Sequence, residues 1–194
     1  MLAGTSLGGV EVSRSTSSMV FSRPPAEIEA PVVVGRDDDC IFGYWRRLLV
    51  IIFRRETTLE VVSRTSACIR EHSRGENAFV GAISIVEKDA PLPDPGVRSR
   101  ISSDMLLASS FRFSAMVYEG SGFRAAAVRG VIISIGMFTR LPFPHRTFST
   151  VADASVWTEG RARAIGVKDL SSAHIRETVR HLRWLRPMAS HFDR

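Results

Sequence analysis

The segment Glu119-Gly-Ser-Gly-Phe-Arg-Ala-Ala-Ala-Val-Arg129 holds the residues whose types and spacing could do chemistry. An apolar run enters a glycine turn there and a helical pattern begins, the junction at which α/β proteins commonly hold anions. Gly120-Ser121-Gly122-Phe123-Arg124-Ala125 matches the G-x-G-x-x-A form of a dinucleotide turn. The surrounding order argues against that use. A dinucleotide fold places the turn first and an acidic residue about twenty positions later, whereas here the turn comes late and no Asp or Glu occurs between Glu119 and Asp153. A narrower expectation survives: free amides at the helix start carry partial positive charge and Arg124 adds a full one. Gly120, Ser121, Gly122, Arg124 and Arg129 are therefore a candidate site for a small anion. The competing account is that the glycines only permit a tight turn, Glu119 pairs with a nearby arginine, and the other arginines reach solvent past a buried helix.

Other catalytic patterns are thin. His72, His145, His174, His181 and His191 show no H-E-x-x-H or comparable ligand spacing, there is no G-x-S-x-G elbow, and no lysine ends a P-loop. Ser121 has no base paired with it in the sequence, and turn chemistry accounts for it. Cys40 and Cys68 stand outside any C-x-x-C pair, which argues against a zinc or redox site. The expectation is a chain without catalytic residues, metal or cofactor, in a reduced cytoplasmic setting. The first residues lack a charged n-region followed by an apolar h-region. The longest strongly apolar segment, 131–138, is too short to span a bilayer. The formal charge of +6 comes from 26 basic against 20 acidic residues, and Lys88 and Lys168 are the only lysines. Arginine favours weak contact with phosphates and anionic surfaces. Its scatter along the chain, without interleaved aromatics, argues against specific nucleic-acid binding.

The elements that must position these residues follow from periodicity. At 194 residues, 44% hydrophobic and 24% charged, the chain suits one globular domain with tails. Residues 1–40, rich in Ser, Gly, Pro and Arg, read as a flexible, disordered extension, with Val32-Val-Val34 as a short edge strand and Arg36-Asp-Asp-Asp39 as a solvated charge cluster. Leu48-Leu-Val-Ile-Ile-Phe53 reads as a strand buried on both faces. Thr57-Thr-Leu-Glu60 supplies a capping box for a helix running to His72, with Val61, Val62, Thr65, Cys68 and Ile69 inward. A strand at 78–87 carries Phe79, Ile83 and Ile85 as core residues. Lys88-Asp-Ala-Pro-Leu-Pro-Asp-Pro95 is a crossover loop, since its prolines remove donors and fix the backbone. Then come a helix over 96–111, a strand at 113–119, a buried helix over 123–140 ended by Pro142-Phe-Pro144, a short strand at 146–148, and a helix starting at Thr150. A final helix over 169–186 places Ile175, Val179 and Leu182 on one stripe and Arg176, Arg180 and Arg183 on another. That helix either docks by its apolar stripe or meets a membrane surface or partner. Strands alternating with helices predict an α/β fold, a small mixed or mostly parallel sheet packed by helices. The expected organisation is an extension over 1–40, a domain over 41–165 and a basic amphipathic helix and tail over 166–194.

From Tyr44 to Trp157 the order of elements resembles the bacterial STAS-like group, similar in fold to anti-sigma-factor antagonists and SpoIIAA-like proteins. The resemblance rests on the Glu119 to Arg129 segment, Pro142-Phe-Pro144, Phe148-Ser-Thr-Val-Ala-Asp-Ala154 and Trp157. It implies a regulatory module that acts through a protein partner or a small apolar or anionic ligand, with no chemistry of its own. Phosphorylation-switched members carry Asp-Ser-Ser/Thr-Gly at a helix start after a central strand. The corresponding residues here, 87–96, contain no serine, so the resemblance does not extend to that switch or to a kinase partner. The expected partner-binding residues are Asp89, Pro91, Pro93 and Asp94 in the proline loop, together with the surface of the helix after it.

Overall fold

The computed structural model describes residues 29–106, 108–120 and 141–185. Its strands are β1 (Val32–Arg36), β2 (Cys40–Trp45), β3 (Leu48–Phe53), β4 (Gly81–Val86), β5 (Phe113–Tyr118) and β6 (His145–Phe148). Its helices are α1 (Leu59–Glu71), α2 (Pro95–Leu106), α3 (Val151–Ala164) and α4 (Ser172–Trp184). The strands form one six-stranded mixed sheet in the order β1-β2-β3-β4-β5-β6. β1, β2 and β3 pair antiparallel, and β3 through β6 pair parallel. The expected α/β class, with a small mixed sheet packed by helices, is the class observed.

β3 shows why its sequence is apolar without a break. All six of its residues are buried. Leu48, Val50 and Ile52 join a core that includes Ala154 and Ala162 of α3 and Ile175, Val179 and Leu182 of α4. Leu49, Ile51 and Phe53 point the other way, into a second core with Val61 and Cys68 of α1. Period-two alternation between two covered faces leaves no polar position. Each fully buried Leu, Ile or Val contributes about 1.5–3 kcal/mol relative to exposure. At Gly81 the register sets Phe113 directly opposite. A Cβ there would lie 2.7 Å from the Phe113 carbonyl oxygen and collide with its ring, so only glycine lets β4 and β5 approach.

Several expectations need correction. The expected edge strand at Val32-Val-Val34 is present but runs on to Arg36 with its ladder on β2, and Cys40, placed at the end of the extension, opens β2. The acidic triplet is the turn between them. Asp37 Oδ1 accepts the Asp39 and Cys40 amides at 2.9 and 2.7 Å, its Oδ2 receives the Arg64 guanidinium, and Asp38 faces Arg55 at 3.7 Å. Burial raises the Asp37 pKa, but the Arg64 hydrogen bond and the two amides together outweigh it and leave the carboxyl below its ordinary value. The cap of α1 is Thr58, whose hydroxyl accepts from the Val61 amide; Thr57 is buried one residue earlier. That shift puts valine where a capping box needs Glu or Gln. Pro95 belongs to α2 rather than to the loop, because the first helical position needs no amide donor. α2 also ends at Leu106, short of the expected 111. The terminal helix docks: Ile175, Val179 and Leu182 are buried, and Arg176 and Arg180 face solvent. The expected helix over 123–140 lies outside the described residues.

Candidate functional site

The strand ends that precede the glycine turn and the proline loop lie together at the carboxyl end of the parallel strands. There α4 meets the sheet through charge. Arg54, just past β3, donates from Nη2 to the carbonyls of Leu182, Arg183 and Leu185, each at 3.2 Å. They lie in the last turn of the helix, where carbonyls run short of intrahelical donors, although the Leu182 carbonyl also accepts the Leu185 amide at 3.3 Å. Arg183 turns back toward the sheet, with Nη2 2.5 Å from Glu119 after β5 and Nε 3.7 Å from Glu87 after β4. Glu119 thus pairs with an arginine 64 residues away. Gly120 follows it at the limit of the described chain. Ser121, Gly122, Arg124 and Arg129, the rest of the candidate anion site, lie outside the described residues.

The proline loop leaves β4 at the same end. The Ala90 amide donates to the Glu87 carbonyl at 3.1 Å, and Ala90 is buried, which pins the loop at its start. At its close, Asp94 Oδ1 accepts the Val97 amide at 2.9 Å and caps α2, while Arg98 Nη1 donates to the Pro93 carbonyl at 3.2 Å. Between these anchors Asp89, Pro91 and Leu92 are exposed and Pro93 is half-buried. The structure therefore divides the four expected partner-binding residues. Asp89 and Pro91 present their side chains to solvent, whereas the Asp94 carboxylate and the Pro93 carbonyl are engaged in holding the loop. Leu92, absent from the expected set, is the exposed apolar side chain of the loop. Its place between Pro91 and Pro93, in a crossover loop that must run over the surface, is the signal that could have found it.

A cavity of about 90 Å³ lies between α1, α2 and the sheet, mostly apolar, with Thr65, Ser66, Ser84, Asp104, Ser114 and His145 as its polar lining. Ser66 donates to Asp104 at 2.5 Å, and Arg100 Nε contacts both oxygens of that carboxylate at 3.0 and 2.9 Å. Across the cavity Ser114 Oγ and His145 Nδ1 are 2.6 Å apart. Burial holds His145 below its ordinary pKa, so near neutral pH it is an uncharged imidazole bonded to a hydroxyl. The geometry joins a hydroxyl to a base, but the Asp104 carboxylate is committed to Ser66 and Arg100 rather than to the imidazole, and a nucleophile needs its base oriented by a third group. This pair was invisible in the sequence because Ser114 and His145 are brought opposite only by the parallel register of β5 and β6.

The cysteines sit deep in the second core, where burial pushes the Cys40 thiol up to about 12 and the Cys68 thiol up to about 11. Neither supplies a thiolate near neutral pH. Among the described residues no helix is long and apolar enough to cross a membrane. Set against protein-family models, curated proteins and solved structures, the chain matches none of them.

Proposed function

We propose that this chain is a non-catalytic regulatory module of the STAS-like kind, and that it recognises a protein partner through the proline loop at 88–96 and the adjoining surface of α2. One observation carries the reading: Leu92 is exposed on a loop fixed on both sides, by the buried Ala90 and by the Asp94 cap. A segment already held in one conformation loses little entropy when it docks, so its contacts convert more fully into affinity. Pro91 and Pro93 restrict the backbone further, and Asp89 adds a charge beside the apolar side chain. The start of α2 also agrees with a binding role that needs no phosphorylation. Its cap is Asp94, its first residue Pro95, and its first serine, Ser99, comes a full turn later.

The reading is tested by a photo-reactive side chain placed at Leu92 and, as a control, at Val156, an exposed apolar residue of α3. Irradiation in cells should give a discrete cross-linked species from position 92 and not from 156. Replacing 88–93 with glycine and serine of equal length, which keeps the Asp94 cap, should abolish that species while thermal unfolding stays cooperative. Equal labelling from both positions, or a species that survives loop replacement, removes the loop as the recognition element.

A further inference from the structure

The opposite end of the sheet carries a different charge arrangement. The turn before β3 brings Arg47, the turn after α1 brings Ser73, Arg74 and Gly75, and the turn before β5 brings Ser109, Ser110 and Arg112 to one cleft of about 400 Å³. Backbone bonds lock these turns together: the Val80 amide donates to the Arg47 carbonyl at 2.9 Å, and the Arg112 amide to the Val80 carbonyl at 2.7 Å. Three arginines line the cleft and, among the described residues, no carboxylate does. Arg47 Nε donates to the Ala78 carbonyl, and Arg112 Nη1 to the carbonyls of Ser109 and Phe111. These bonds orient two guanidinium groups yet leave most of their N–H donors uncommitted, and Arg74 has no partner among the described residues. A second and independent sign is Ser110, whose buried Oγ has no hydrogen-bond partner among the described residues. Buried polar atoms are rarely left unpaired, and an unpaired one calls for a missing partner.

We infer that this cleft binds the phosphoryl group of a small, soluble phosphate ester. Guanidinium forks pair with phosphate oxygens bidentately, and three of them with a hydroxyl donor suit a dianion better than a single carboxylate. An anion would also relieve the mutual repulsion of the three cations. The volume lies within the range of small-molecule sites, roughly 300–1,000 Å³. Ile165 and Val167, between α3 and α4, and Phe79 give the same cleft apolar wall for the ester's carbon portion. The inference is independent of the partner-binding reading, which concerns the other end of the strands.

Titration of the full chain with inorganic phosphate, diphosphate and glycerol phosphate, against sodium chloride at equal ionic strength, tests it through the melting temperature and calorimetric binding. Saturable binding of the phosphates alone is expected, since a ligand selective for the native state raises the melting temperature. Arg74→Ala removes an exposed side chain without a protein partner, so the fold should persist while affinity falls about tenfold, the loss of one charged contact. Arg112→Lys keeps the charge and loses the fork, and should also weaken binding; Arg55→Ala, past the carboxyl end of β3 and beside Asp38, should not. No saturable binding overturns the inference, as does equal weakening by Arg74→Ala and Arg55→Ala, which would mean counter-ion attraction to a basic chain. Binding to phosphoinositide-bearing phosphatidylcholine vesicles without binding to any soluble phosphate would overturn the ligand class.

Discussion

The two ends of the parallel strands treat charge in opposite ways. At the carboxyl end Arg54, Glu87 and Glu119 all find partners on α4, and Arg183 bridges the two glutamates. At the amino end Arg46 pairs with Asp169 at 2.9 Å, but in the cleft itself Arg47 and Arg112 meet carbonyl oxygens and Arg74 has no partner among the described residues. The first arrangement fastens a helix to the sheet, and the second keeps cationic donors in place without neutralising them. Open α/β sheets usually bind ligands beyond the carboxyl ends of their strands, in the crevice made where the strand order reverses. Here the order from β3 to β6 runs without reversal. No such crevice is formed by the order, and α4 occupies part of the carboxyl end instead.

The largest effect expected from this contrast is at Arg54. Arg54→Ala should strip one cationic donor from three part-buried carbonyls at the end of α4, of which Leu182 keeps the Leu185 amide, and lower stability by about 1.5–3 kcal/mol, the range for hydrogen bonds to charged groups. Denaturant unfolding should show an earlier midpoint at unchanged slope. A change below about 0.5 kcal/mol, the ordinary size of a surface substitution, would mean that α4 is held by its apolar stripe alone and that the charges at this end do little.

How far the sequence could foretell these two ends depends on the distance over which each signal acts. β3 was legible because both faces of one short run are apolar, α1 and α4 because their buried residues recur with helical spacing, and α3 from the cap at Thr150-Val-Ala-Asp153. β1 was legible only in part: Val32-Val-Val34 read as an edge strand, but all three valines are exposed and Gly35 marks an irregular register, so nothing in the run fixed its bounds or its partner. Arg54 and Leu182, Arg183 and Glu119, Ser114 and His145 are pairs separated by 128, 64 and 31 residues, which no local pattern reports. The amino-end arginines read as scattered for the same reason. Parallel crossovers return each turn to one end of the sheet, and that return gathers Arg47, Arg74 and Arg112.

Acid should sharpen the contrast by loading the amino end further. His145 opens β6 there and is held below its ordinary value of 6.5 by burial. Above that value the folded and unfolded chains are both neutral at this residue. As pH falls below it the unfolded chain takes the proton first, so the contribution of the buried neutral imidazole is lost progressively toward the folded pKa. The slope is at most one proton, about 1.4 kcal/mol per pH unit. His145→Gln should flatten stability between pH 6.5 and 5 while leaving the steeper loss at lower pH. That later loss belongs to Asp37 and to Glu159, which the Ser172 amide and hydroxyl hold below its ordinary value. A wild-type curve flat from pH 7.5 to 5 would place His145 in contact with water.

The smallest effect is the most discriminating. Arg74→Ala, measured in chloride buffer, should change stability by less than about 0.5 kcal/mol, because the side chain is exposed and makes no ion pair among the described residues. If the cations of this end repel one another, the change should be slightly favourable, and it should fade as added salt shortens the Debye length from about 10 Å at 0.1 M to 3 Å at 1 M. Arg74→Glu should then stabilise more than Arg74→Ala, since it gives Arg47 and Arg112 the carboxylate that the cleft lacks. The opposite order, with the glutamate variant less stable at low salt, would show that the three guanidinium groups do not share a field. The two ends of the sheet would then differ in their partners but not in their electrostatics.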